Sequence, residues 1–587
     1  MSSPKEVVHE VHAKLNQFYA TAICGNDILS SIFYVAGIAT VYAGAYAPFV
    51  LAFIALVLFF YKSVYTEVVE ALPTNGGAYN CLLNATSKNL AALAGTTTVL
   101  SYVATSVISG ESAMQYLYSI AHTPVIPLTI VVLALFALLV ISGIKDSAKV
   151  ALGIFAFHVV VLTAFVLFGT WYFIHGGQSY FMQNFTASIP LVQRVGGIIP
   201  ALFFGFAASL LGVSGYESSA NFVEEQQKGV FRKTLRNMLV FVAIFNPIIA
   251  LLVQNAMPFH TLLQSQDFLL SNAAKIMVGT WFQYVVVIDA ILVLCGAVLT
   301  GFVGVSGLLY RMTTDGCFPS VFAKVNKKGS YPYIVIAFFL LCTSILLLTH
   351  GDLLSLAGVY TIAFLSVMTL FAFGNLLMRE TRKDLKRTYH APLLFVILAF
   401  FSTAAGILGN IEISPENVHY FLSYFLPAIV IVFITIYLDF VLKSLAHITE
   451  KIPFISNYFR KLYDKINDKG QFVVFIYHLD RLYKILDYID RNEIGRHIYL
   501  VLCETGSKKE TAARRKELEA VLPVLQKAGV FPKFDLQLVY KNEPFGPQAI
   551  DDVAREFKIQ KNKILIGSIH EEHPFDYDQL GGVRIIF

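Results

Sequence analysis

Runs of about twenty apolar residues, parted by short polar connections, recur from residue 21 to residue 442. A helix rises 1.5 Å per residue, so a run of about 20 crosses a bilayer core of about 30 Å. Twelve spans are predicted, near 21–44, 47–69, 88–119, 124–143, 149–175, 195–222, 237–258, 276–311, 331–349, 353–378, 391–409 and 418–442. Their connections alternate in basic content. Lys145, Lys149, Lys228, Arg232, Lys233, Arg236, Arg311, Lys324, Lys327, Lys328, Arg379, Arg382, Lys383, Lys386 and Arg387 fall on one side, and the other holds little beyond Arg194 and Lys275. Basic loops stay in the cytoplasm. Both termini are therefore expected there, with residues 1–20 a cytoplasmic lead-in, in a multi-pass protein of the plasma (cell inner) membrane.

The pattern changes after residue 442. A basic, aromatic linker, 443–468, leads to strand-like runs at 471–478, 497–504, 534–541, 563–570 and 583–587, with helical stretches at 508–528 and 547–557. Apolar β-rich runs between helices predict a small α/β domain with a largely parallel sheet over 469–587. The expected fold class is an all-α membrane protein over 21–442 with a C-terminal soluble α/β domain.

Two spans break the apolar pattern. The first carries Gly25-Asn26-Asp27 and then Ser30, Ser31 and Tyr34; the sixth carries Gly212-Val213-Ser214-Gly215, with Glu217 close behind. A charge at the centre of a span costs roughly 2.5–3.5 kcal/mol on the gentlest scale, unless it meets a partner or a wet cavity. Interruptions five spans apart, entering from opposite sides, are what an inverted 5+5 repeat plus two extra helices produces. Broken helices free backbone groups only where these line a cavity. The blander alternatives are glycines that permit close packing and an Asp27 that caps the second half-helix.

Composition narrows the class. Of 587 residues, 56% are hydrophobic and 14% charged, against about 25% charged in soluble domains. The net charge of +5 reflects one-sided loops, so no nucleic-acid partner is expected. The six cysteines lack a CxxC pair and predict neither a disulfide framework nor a zinc site. No nucleophile–base or metal-ligand constellation stands out, so neither an enzyme nor a bound cofactor is expected. The string His570-Glu571-Glu572-His573 lacks the spacing of a catalytic zinc motif.

Three segments resemble signatures of the amino acid–polyamine–cation superfamily of secondary transporters. They are Glu67-Val-Val-Glu-Ala-Leu-Pro73-Thr-Asn-Gly76-Gly77-Ala-Tyr79, Arg311-Met-Thr-Thr-Asp315-Gly316-Cys-Phe-Pro319, and Gly215-Tyr216-Glu217 followed by Glu224, Glu225 and Arg232. The resemblance implies a LeuT-type fold over about 15–440, with alternating access around a site between spans one, three, six and eight. Asp27-Ile-Leu-Ser-Ser31-Ile-Phe-Tyr34 is similar to the first span of KUP- and KimA-type potassium importers. That likeness makes Asp27, Ser31, Tyr34, Thr105, Ser109, Ser214 and Gly215 the expected substrate or ion ligands, and it departs at Ser101, where those proteins carry an acid. The tail resembles universal-stress-protein domains, although the spaced glycines of their ATP loop are missing near Gly567.

Chemistry weighs the substrate in the same direction. Potassium needs a set of oxygens in place of its hydration shell. An amino acid needs free amides for its carboxylate, yet serines stand at 30 and 31, and Asp27 repels a carboxylate. Proton-coupled potassium import is the leading expectation, with an amino acid or polyamine permease of the same fold as the alternative. A non-transporting membrane sensor is the alternative of another class. His158, Glu111, Glu217 and Asp289 are the intramembrane groups suited to relay a proton. The expected partners are the lipid bilayer, the small-molecule or monovalent-cation substrate, and a second copy joined through the tail. Lys62 is expected to snorkel or to pair with Glu67, and the sequon Asn184-Phe185-Thr186 to sit in an outer loop open to glycosylation.

Overall fold

A helix satisfies its own backbone where lipid cannot, so each apolar run folds as one. The computed structural model describes residues 14–143, 148–383, 385, 387–476, 482–504, 508–527, 531, 534–567, 580 and 583–585. Among these, nine helical runs are long and apolar enough to cross a membrane, and two shorter apolar helices, Val125–Ile141 and Pro332–Leu348, accompany them. The first run, Gln17–Ala71, is 55 residues long and holds the first two predicted spans, so the pattern of twelve is met. Lys145 and Lys386 lie outside the described residues.

Burial ranks the spans. The third, Lys88–Ala121, is 94% buried over its most apolar stretch, and the tenth, Leu353–Thr381, is 78% buried. The twelfth, Pro415–Ile436, is only 17% buried. The third and tenth spans therefore form the middle of the bundle, and the twelfth lies on its outside. Polar side chains concentrate on the third, where Thr96, Thr97, Thr98, Ser101, Thr105, Ser106, Ser109, Glu111 and Ser112 are all buried.

The two interrupted spans differ in kind. In the first, the helix Gln17–Ser30 continues through Gly25, Asn26 and Asp27; only Ser31 separates it from Ile32–Ala43. The expected break at Gly25 is corrected: a Cβ there would lie 2.5 Å from the Phe155 ring of the fifth span, so this glycine serves helix packing. The sixth span unwinds fully. Its helix Ile198–Ser209 tightens into the turn Leu210–Val213, Ser214 is extended at ψ 146, and a short turn resumes at Glu217–Asn221. Gly215, at φ +91, supplies the left-handed step between them.

The tail forms a five-stranded parallel sheet. Its strands are β1 Gln471–Phe475, β2 His497–Cys503, β3 Asp535–Lys541, β4 Ile564–Ile566 and β5 Arg584–Ile585, in the order β3-β2-β1-β4-β5. Alternate residues face opposite sides. Phe472 and Val474 pack with Leu486 and Leu500 on one face, while Val473 and Phe475 pack with Val501 and Ile550 on the other. A helix at Leu482–Asn492 was not predicted, because its charged residues hide the stripe Leu482, Ile485, Leu486 and Ile489. The string His570–His573 lies outside the described residues.

Candidate functional site

Gly215 brings the two interrupted spans into contact. A Cβ on it would lie 2.7 Å from the Ile28 amide nitrogen and 2.9 Å from the Asp27 carboxyl carbon. Asp27 is 4% exposed, against the unwound backbone of span six and away from the bundle surface. Glu217 folds back on the same glycine and accepts from its amide at 3.0 Å. Two carboxylates thus flank one unwound turn, and each bears electrostatically on Tyr34, Tyr102 and Tyr360.

Hydroxyls complete this cluster. Tyr360 of the tenth span bonds the Thr105 hydroxyl at 2.5 Å and also the Ser214 hydroxyl. Tyr34 is buried beside the carboxylates. The Ser31 hydroxyl donates to Ile28 O at 2.7 Å and reaches Gly212 O at 3.2 Å, which ties the first interruption to the second. Ser109 is buried, but its hydroxyl makes no hydrogen bond among the described residues. Tyr102 accepts a bond from Asn221 at 2.5 Å and so closes the lower end of span six onto span three. Tyr102 and Tyr360 escaped the sequence reading because nothing sets them apart from the other tyrosines, 30 in all.

The four groups expected to relay protons do not gather. Glu217 sits at the site itself. His158 Nδ1 pairs with Asp289 Oδ2 at 2.8 Å, both side chains fully buried, and the imidazole packs 5.5 Å from the Phe33 ring just past the first interruption. Phe33 O accepts from the Tyr116 hydroxyl at 2.8 Å, so this pair stands behind the segment that carries Asp27. Glu111 lies elsewhere on the third span, where its Oε1 accepts from Gln115 at 2.7 Å.

The signature segments converge on the end of the bundle nearest the tail. The Asn75 amide donates to Glu224 at 2.9 Å, the Glu224 amide returns a bond to Asn75 Oδ1 at 3.0 Å, and Arg311 reaches Asn75 O at 3.4 Å. Leu15, ahead of the first span, pairs with the backbone of Glu225 and Gln227 after the sixth. This end is closed. Lys62 does not hold Glu67: Arg379 takes both its oxygens, one of them at 3.0 Å, and the Ala391 amide adds a bond at 3.0 Å. The sequon is also corrected. Asn184 is buried within the helix Phe181–Arg194, and its side-chain nitrogen is spent on Gln254 O at 2.7 Å and Met257 O at 3.0 Å.

A span unwound at the centre of a membrane bundle, with polar groups gathered around it, is the mark of a secondary transporter. Residues 15–435 match the family model described as amino acid permease, and the chain belongs to that family, within the amino acid–polyamine–cation superfamily. It is 24% identical over 402 residues to the branched-chain amino acid permease BcaP of Bacillus subtilis (strain 168), covering 64% of this chain and 82% of that protein. It is 22% identical over 436 residues to the potassium transporter KimA of the same organism, covering 72% and 70% respectively. A third relative is the low-affinity putrescine importer PlaP of Escherichia coli (strain K12), 23% identical over 391 residues, covering 64% of this chain and 83% of the importer.

Proposed function

We propose that this chain carries an amine-bearing organic substrate, an amino acid or a polyamine, by alternating access, with the ammonium group held between Asp27 and Glu217. One observation carries the reading. Glu217 already occupies the Gly215 amide, the group that a substrate carboxylate would otherwise claim, and Asp27 stands against the same glycine. The turn is therefore shaped for positive charge, with the phenols of Tyr34 and Tyr360 close to both carboxylates. The reading agrees with BcaP being an amino acid permease and PlaP a putrescine importer. Proton coupling runs through His158 and Asp289 in this reading, and both termini and the tail lie in the cytoplasm of a plasma-membrane protein.

Potassium import is the second reading. It is favoured by the hydroxyls of Thr105, Ser214 and Tyr360 converging beside Asp27, an oxygen set suited to a bare cation, and by the likeness to KimA. Uptake in proteoliposomes separates the two, with labelled leucine, arginine, putrescine and rubidium presented across a pH gradient. Saturable uptake of an organic amine is expected, lowered at least about tenfold by Asp27→Asn, since a charge-assisted hydrogen bond is worth about 1.5–3 kcal/mol. Rubidium flux with no organic uptake overturns the proposal in favour of potassium.

A further inference from the structure

The linker is not the tail's only attachment to the bundle. Lys88, the first residue of the third span, extends its ammonium into the tail, to Glu493 Oε2 at 3.3 Å and Asn492 O at 2.9 Å. Arg584 of β5 bonds the other Glu493 oxygen at 2.6 Å and lies 3.9 Å from Asp315, which follows the eighth span. Asn562 donates to Thr314 O at 2.7 Å at the same point. Lys88, Asp315, Glu493 and Arg584 are all buried. Two cations face two anions here, with the Lys563 ammonium near enough to act on Glu493, Arg584 and Lys88. Burial works against charge on Glu493, and the Arg584 and Lys88 cations overcome it, holding the carboxyl below its ordinary range.

The dock touches the end of the bundle where Asn75, Glu224 and Arg311 are bonded together. The second oxygen of Asp315 accepts from the Tyr79 hydroxyl at 2.8 Å. Tyr79 lies in the first turn of the helix Gly77–Ala85, just after the loop whose Asn75 is latched to Glu224 and Arg311. One short segment, Thr74 to Tyr79, is thus pinned at one end to the connection that follows the unwound span and at the other to the residue the tail engages. Opening this end requires Asn75 to leave Glu224, and the segment cannot swing while Tyr79 and Asp315 are fixed by Arg584. We propose that the tail is a brake: docked on Lys88 and Asp315, it keeps the gate Asn75–Glu224–Arg311 shut, and its release speeds turnover.

The chemistry of the contact suits a reversible device. A buried ion network adds little net stability, because desolvation cancels most of the attraction, yet it demands one register. An apolar interface of equal area would hold more firmly and discriminate less. The conformational part of the proposal holds whatever the substrate; only its rate arm rests on the transport reading above.

The test uses the full chain in lipid nanodiscs, with Glu493→Gln and, as a milder change that leaves every charge in place, Asn562→Ala. Hydrogen exchange is followed without substrate in peptides covering 72–80 and 311–316, and initial uptake is measured in proteoliposomes with the best substrate of the panel above. A several-fold faster exchange in these peptides, together with a several-fold faster uptake, is expected for each variant that folds. Gate peptides that stay protected when the tail peptides around 490–495 have become exposed overturn the brake, regardless of what the chain carries. Unchanged or slower uptake with an opened gate overturns it as well, since the tail would then be a passive anchor or an activator.

Discussion

At the scale of single residues, the His158–Asp289 pair makes the sharpest claim. It is fully buried and backs onto the segment past Asp27 through the Phe33 ring, with Tyr116 holding the Phe33 carbonyl. Intramembrane histidines and acids can serve as proton relays, and a glutamine at 158 cannot take up or release the proton. If substrate movement is tied to this pair, His158→Gln abolishes the response of uptake to an imposed pH gradient while the protein remains folded. Uptake measured with and without the gradient checks this, and a response equal to wild type removes the pair from coupling. His158 and Asp289 were both legible as intramembrane ionisable groups. Their partnership was not, because 131 residues separate them and no alternation in the chain announces which faces of spans five and eight meet. Asp27 was legible for a plainer reason: a lone acid among apolar residues has few explanations. Asn184 misled for the opposite reason, since a short polar stretch reads as a loop even where its side chain is locked into a helix pair.

At the scale of elements, the sixth span depends on one backbone angle. Gly215 stands at φ +91 with Ile28 and Asp27 packed on its open face, whereas Gly229, at φ +77, has nothing within 4 Å of a built Cβ. Both substitutions to alanine meet the left-handed penalty of about 1–2 kcal/mol, but only Gly215→Ala adds a clash with the first span. Uptake is expected to fall more than tenfold in Gly215→Ala and to stay within twofold of wild type in Gly229→Ala, with melting temperatures in detergent recorded for both. All twelve spans were readable from hydropathy, because length and apolar content alone specify a crossing helix. The kind of interruption was not. Gly25-Asn26-Asp27 and Ser214-Gly215 look equally suited to break a helix; the neighbour across the interface decides, with Phe155 using the first glycine as a packing notch while the second accommodates Asp27. In the tail, the central strands were plain from β-branched and apolar alternation, and the helix Leu482–Asn492 was masked by its own charge.

At the scale of the whole molecule, distant signatures meet to hold the bundle's tail-side end. Glu67, fully buried, is clasped by Arg379 and by the Ala391 amide, which joins the second span to the tenth and to the approach of the eleventh. Leaving one member of a buried pair alone costs about 3–5 kcal/mol, and the lower end applies here because Arg379 keeps 19% of its side chain exposed. Glu67→Gln is therefore expected to lower the thermal midpoint in detergent by several degrees, and an unchanged midpoint would deny this pair a structural role.

The tail's orientation carries a consequence of its own. Asn492 and Glu493 precede β2, Asn562 precedes β4 and Arg584 opens β5, so the sheet rests on the bundle by its amino-terminal rim. Open parallel sheets receive their ligands beyond the opposite, carboxyl-terminal rim. Here that rim is the end of the sheet opposite the contacts with Lys88 and Thr314.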